Sequence, residues 1–184
     1  MYFEQLLKHP ALYPFLELID RELARLAHQK GCRCGGKLHR ADYPRSPRGG
    51  LQACLKYMSR RFSFCCASDG CRKRATPPSA RFFGRRHYTA AVLALVSPRG
   101  GAQAHWLCEQ LEVAEVTVNR WRHWWRVDFL KTPFWKLHRA DFIEIEETQL
   151  PQSLHGRFEG KTLLERLILL LRFLAPVNTP AFCA

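Results

Sequence analysis

AQAHWLCEQLEVAEVTVNRWRHWW, residues 102–125, holds two short helical periods interrupted once. Leu107, Leu111, Val113, Val118, Trp121 and Trp125 fall at the inward positions of two helices folded on each other through a tight turn, with Cys108 the small residue where they cross. The spacing predicts helices over 102–110 and 114–126, joined by a turn at 111–113. Glycine is favoured at the left-handed position of such a turn; Glu112 stands there instead, at a cost on the order of 1 kcal/mol. Upstream, Tyr88, Ala91, Val92 and Leu95 share one side of a further helix over 87–96, which stops at Ser97-Pro98-Arg99-Gly100-Gly101. Three helices in this order make a trihelical helix-turn-helix. Its last helix is left with Glu115, Thr117, Asn119, Arg120, Arg122 and His123 off the apolar stripe. Asn and Arg are side chains that make paired contacts to adenine and guanine edges, so this face predicts contact with double-stranded DNA.

Charge supports the same partner. The chain of 184 residues has a formal net charge of +13, and residues 30–99 hold 16 Lys or Arg against Asp42 and Asp69 alone. The remainder is close to neutral, so the excess belongs to one segment just before the helices. Within it Arg72–Arg86 (RKRATPPSARFFGRR) cannot be helical through Pro77 and Pro78. Arg72, Lys73, Arg74, Arg81, Arg85 and Arg86 are its candidate phosphate contacts, with Phe82 and Phe83 as wedges or core.

From Gly31 the texture turns to glycine, cysteine and short alternating runs. Cys32-Arg33-Cys34-Gly35-Gly36 is one thiol-bearing turn, and RFSFCC (61–66) alternates like a strand into a second turn ending at Cys71. Between them Ala41–Gly50 (ADYPRSPRGG) reads as loop. Two opposed thiol turns, each supplying half a tetrahedron, describe a zinc ribbon, in which Zn2+ replaces the core a small module cannot form. The expected ligands are Cys32, Cys34, Cys66 and Cys71. Cys65 is the alternative to Cys66, since adjacent strand residues point to opposite faces, and His39 is an outside candidate. Cys54, Cys108 and Cys183 lack partners at ligand spacing and read as packing residues. With Glu4 and Lys8 in the first ten residues, no export signal is expected, which favours reduced thiols and a cytoplasmic setting.

The flanks are simpler. Leu12, Phe15, Leu16, Ile19, Leu23 and Leu26 predict an amphipathic helix over 11–29, closed near Gly31, and a second is expected over 161–174. The run Leu163–Pro176 is too short for a bilayer and is broken by Glu165, Arg166 and Arg172, so no membrane partner is expected. Thr132-Pro133-Phe134-Trp135 reads as a turn. Asp141, Glu144, Glu146 and Glu147 are the only clustered acids. Asp141, Glu144 and Glu147 are the residues a truncated transposase or nuclease would use with divalent metal, and a solvated acidic turn is the plainer reading. No GxxxxGK loop, GxSxG elbow or HExxH pair is present, so no catalytic residues are expected. An adaptor for protein or RNA is a further alternative.

The runs LHRADYPR (38–45), RRFSFCC (60–66), GCRKRATPPSARFFGRR (70–86) and EVTVNRWRHWW (115–125) resemble the zinc-ribbon plus helix-turn-helix DNA-binding proteins encoded within bacterial insertion sequences. The likeness spans about residues 31–135. It implies binding of element ends or of the element's own promoter by Glu115–Trp125, zinc at the two thiol turns, and a role as transposase accessory or regulator at the bacterial nucleoid. A homodimer or a transposase would be the protein partner. The expected fold is α+β and mostly helical: an N-terminal helix (1–30), a small zinc ribbon (31–80), a trihelical helix-turn-helix (81–130) and a C-terminal extension with one amphipathic helix (131–184).

Overall fold

A computed structural model describes residues 2–45, 51–83, 88–96 and 101–178, and the chain is α+β with a small antiparallel sheet. Helix α1 (Tyr2–Lys8) leads into α2 (Leu12–Lys30), which buries Leu12, Tyr13, Leu16, Asp20 and Ala24 along one face. Gly31 ends α2 at φ 72°, a left-handed backbone suited to glycine, and its N–H returns to the His28 carbonyl at 3.1 Å.

The cysteine-bearing module follows: β1 (Leu38–Arg40), β2 (Tyr43–Pro44), α3 (Leu55–Met58), β3 (Arg60–Arg61), β4 (Phe64–Cys66) and β5 (Arg74–Ala75). Strand β4 lies between β1 and β5, with Leu38 opposite Cys66, His39 opposite Cys65 and Cys65 opposite Arg74. Tyr43 faces Arg61 and Pro44 faces Arg60. Hydrogen bonds from Ala41 N to the Ser63 carbonyl and from Arg45 N to the Ser59 carbonyl, both 2.8 Å, join the two pairings into one hairpin. The first part of the expected 41–50 loop is therefore strand. Pro44 is admitted because proline is tolerated on an edge; residues 46–50 lie outside the described residues.

Next come β6 (Phe82–Phe83), β7 (Tyr88–Thr89), α4 (Ala90–Leu95), α5 (Ala102–Gln110) and α6 (Glu115–His123). A π-helical stretch, Trp124–Asp128, carries α6 into α7 (Phe129–Lys131). Then α8 (Pro133–His138), α9 (Gln152–His155) and α10 (Leu163–Leu174) close the chain. The turn expected at 132–135 is instead a helix start. Thr132 Oγ1 accepts from Trp135 N at 3.1 Å and Pro133 takes the first helical position, where a missing N–H costs nothing. Thr162 caps α10 in the same manner, accepting from Glu165 N at 3.1 Å.

Two cores result. The larger is continuous from Leu6 to Val177 and draws on all of α1–α10, so the segments expected at 1–30, 81–130 and 131–184 share one interior, to which α3 of the cysteine module adds Met58. Trp125 lies at its centre and donates Nε1 to the Leu93 carbonyl at 2.9 Å, which removes the cost of burying an indole N–H. The smaller core consists of Ala24, Leu38, Phe62, Phe64 and Cys66 and belongs to the cysteine module. Helix α2 serves both. Among the described residues no helix is long and apolar enough to cross a membrane.

Candidate functional site

Two turns bring four cysteines together. In the first, Gly35 N donates to the Cys32 carbonyl at 2.9 Å and Gly35 adopts φ 82°, which folds Cys34 back toward Cys32. In the second, Cys71 N and Arg72 N both donate to the Ser68 carbonyl, at 2.9 and 3.1 Å. Cys32 Sγ and Cys71 Sγ are 3.7 Å apart, Cys34 Sγ and Cys66 Sγ 3.5 Å, and all four sulfurs lie within 4.8 Å of one another. A tetrahedron with Zn–S bonds of about 2.3 Å has an edge of about 3.8 Å, so the sulfurs already stand near metal-ligand spacing. Gly36 makes the approach possible: a Cβ there would fall 2.7 Å from Cys66 Sγ and 2.2 Å from Ser68 Oγ. These four residues can hold a metal ion, and they form the only such group among the described residues.

The cluster favours the thiolate form at one position. The Gly36 N–H, donating to Cys34 Sγ, and the neighbouring thiols bring the Cys34 pKa down to about 6. Cys32 receives a lowering hydrogen bond from the Cys34 backbone, yet its contacts with the other three thiols and its partial burial raise it to about 11.

Strand register separates Cys66 from Cys65. Cys66 is buried opposite Leu38, on the face toward α2 and the cluster. Cys65 shares the other face with His39 and Arg74, and its thiol lies 3.4 Å from the Arg72 carbonyl. Cys65 and His39 are therefore not part of the cluster. Cys54 and Cys108 are half-buried against the large core, and Cys183 lies outside the described residues.

Helices α5 and α6 are joined by Leu111–Ala114, with Glu112 at φ 50° in the left-handed position where glycine was expected to be favoured. Leu107, Leu111, Val113, Val118, Trp121 and Trp125 are all buried. On α6, Asn119, Arg120 and His123 are exposed and Thr117 is half-buried. Arg122 departs from expectation. Its side chain is buried, and Nη1 donates to Asn119 Oδ1 at 3.0 Å, so it fixes its exposed neighbour from beneath. Val116, which the sequence reading passed over, exposes 55% of its surface at the start of α6; only its place outside the apolar stripe could have signalled this.

The basic segment is redistributed. Arg81 is not a surface contact. It is 2% exposed, donates Nε to Asp20 Oδ2 at 2.8 Å and Nη1 to the Tyr57 carbonyl, and lies over the Phe62 ring. Ser79 and Ala80 N bind the same carboxylate at 2.5 and 2.6 Å, and Pro77, Phe82 and Phe83 are buried, so this part of the chain crosses the interior instead of lining a surface. Arg72 is exposed and paired with Asp69. Arg74 is exposed, but its Nη1 is held by the Ala41 carbonyl and Ser63 Oγ at 2.9 and 3.0 Å. Lys73 is exposed. Arg85 and Arg86 lie outside the described residues. Two further exposed cations, Arg33 and Lys37, sit on the first thiol turn, where a search for basic runs overlooks them.

The acidic cluster does not converge on one point. Asp141 pairs with His138 at 3.1 Å, and Glu147 accepts from Arg139 and Trp135 Nε1 at 2.8 and 3.2 Å. Glu144 adopts φ 58°, and its carbonyl accepts from Arg157 Nη2 at 2.9 Å. In comparisons with known proteins, the chain has no significant match to a family model, a curated sequence or a solved structure.

Proposed function

We propose that this chain is a sequence-specific double-stranded DNA-binding protein, with zinc on Cys32, Cys34, Cys66 and Cys71 and a helix-turn-helix formed by α5 and α6. Its role is that of a transposase accessory or regulator of a mobile element. The observation that carries the reading is the α5–α6 pair, with its left-handed turn at Glu112, its buried stripe and Asn119, Arg120 and His123 presented outward. Arg120 suits guanine, Asn119 suits adenine, and Val116 suits the thymine methyl group. Four cysteine sulfurs at tetrahedral spacing suit zinc above harder divalent ions. The role at a mobile element rests on the resemblance of the runs at 38–45, 60–66, 70–86 and 115–125 to those of insertion-sequence proteins. One α6 spans only a few base pairs, so a homodimer or a transposase partner supplies the second half-site.

Mobility-shift titrations of duplex DNA, single-stranded DNA and an RNA hairpin test this reading. Preferential retention of duplex by protein carrying about one zinc per chain is expected. Equal retention of all three, or preference for the hairpin, contradicts it.

A further inference from the structure

We infer that the four-cysteine centre works as a metal-dependent phosphate grip: the metal fixes Arg33, Lys37 and Lys73 on a tip that folds with it, while the large core and α6 stay folded without it. The inference rests on the reading of the chain as a duplex-DNA binder and adds where the hold comes from and what controls it.

Their place at the thiol turns marks these cations, since Lys56 and Arg60 of the module are also exposed without a carboxylate partner among the described residues. Lys8, Arg21, Arg25 and Arg139 are tied to Glu4, Glu17, Glu22 and Glu147, and on the module itself Arg40 and Arg72 are tied to Asp42 and Asp69. Arg33, Lys37 and Lys73 are exposed and have no carboxylate partner among the described residues. Their backbones belong to the thiol turns. Arg33 stands between Cys32 and Cys34, the Lys37 carbonyl accepts from Ala67 N at 2.9 Å, and the Lys73 carbonyl accepts from Cys66 N at 3.0 Å. Lys37 and Lys73 thus flank the strand that ends in Cys66, and whatever fixes that sulfur fixes them.

The module cannot hold this shape by apolar burial. Its core is Ala24, Leu38, Phe62, Phe64 and Cys66, and the metal bonds supply the remaining folding free energy. The large core is a separate cluster that shares α2 with the module and takes Met58 from α3, and it contains or contacts all five tryptophans, Trp106, Trp121, Trp124, Trp125 and Trp135. Helix α6 meanwhile offers little long-range attraction, since Glu115 offsets Arg120 and Arg122 is buried. A local role competes with this one: cations beside four thiolates and a divalent ion also offset the net negative charge of the centre.

The two roles separate in one experiment on the full chain, using zinc and a mixed-sequence duplex long enough to cover the protein. The slope of log affinity against log salt is measured with and without zinc, while tryptophan emission follows the large core. Each lost phosphate contact lowers the slope by about 0.9, so R33Q/K37Q/K73Q is expected to lower it by about 2–3 and Lys73→Gln alone by about 1. Stripping zinc is expected to match the triple variant and leave tryptophan emission unchanged. An unchanged slope in the triple variant, with faster zinc loss, assigns the cations to the local role and overturns the inference. So does collapse of the tryptophan signal on stripping. Failure of the zinc-loaded wild-type chain to retain duplex at low salt overturns the DNA-binding reading itself.

Discussion

Asp20 of α2 and Arg81, 61 residues later, meet in a joint closed to solvent: Nε to Oδ2 is 2.8 Å, with side chains 0% and 2% exposed. Ser79 Oγ and Ala80 N bind the same carboxylate, and Phe83, two residues beyond Arg81, packs edge-on against Trp124 at 4.8 Å. The pair thus ties the helix that carries the cysteine module to the strand that reaches the end of α6.

Breaking this pair from one side leaves an uncompensated buried charge. Asp20→Ala is expected to cost about 3–5 kcal/mol in urea unfolding. A loss below about 1 kcal/mol would show that the joint is solvated.

The register of β4 predicts opposite outcomes for adjacent cysteines. Cys66→Ser is expected to lower metal affinity at least tenfold, whereas Cys65→Ser retains a full equivalent by colorimetric titration. Equal losses would place the metal elsewhere.

Arg120 and Arg122 are expected to differ although they sit two positions apart. On the proposed reading, Arg120→Ala is expected to cost about 1–3 kcal/mol of base discrimination and to leave thermal stability unchanged. Arg122→Ala lowers stability and frees Asn119, since the buried guanidinium holds that amide at 3.0 Å. Competition gel shifts and thermal melts on both variants decide the matter, and identical profiles would refute the division.

His155 has its pKa held below the ordinary 6.5, first by burial and then by the Arg166 charge. The unfolded chain therefore takes up the proton first. Stability is expected to fall as pH drops below about 6.5 and to level off once pH passes the lower folded-state pKa. His155→Gln is expected to flatten that part of the urea-midpoint profile; an unaltered slope would assign the pH dependence to other groups.

Legibility in the sequence followed how local the signal was. The four cysteines and the α5–α6 pair were readable because ligand spacing and helical period act within a few residues; the spacing placed α5 at its observed limits. Arg81 was misread because a buried arginine in a basic run looks like an exposed one until its partner, Asp20, is brought close by folding. Arg122 failed for a related reason, since a helix face depends on what packs over it. The choice between Cys65 and Cys66 needed strand register. The C-terminal segment looked peripheral because its contribution, Leu167, Leu170, Leu171 and Leu174 in the large core, consists of contacts with distant helices.

The most direct test of the central claim is selection of bound duplexes from a random DNA pool by zinc-loaded full-length protein. Enrichment of a short motif by the wild-type chain, with Arg120→Ala relaxing preference at one or two positions of it, is the predicted result. Retention of duplex with no enriched sequence would contradict the assignment of α6 as a reading helix.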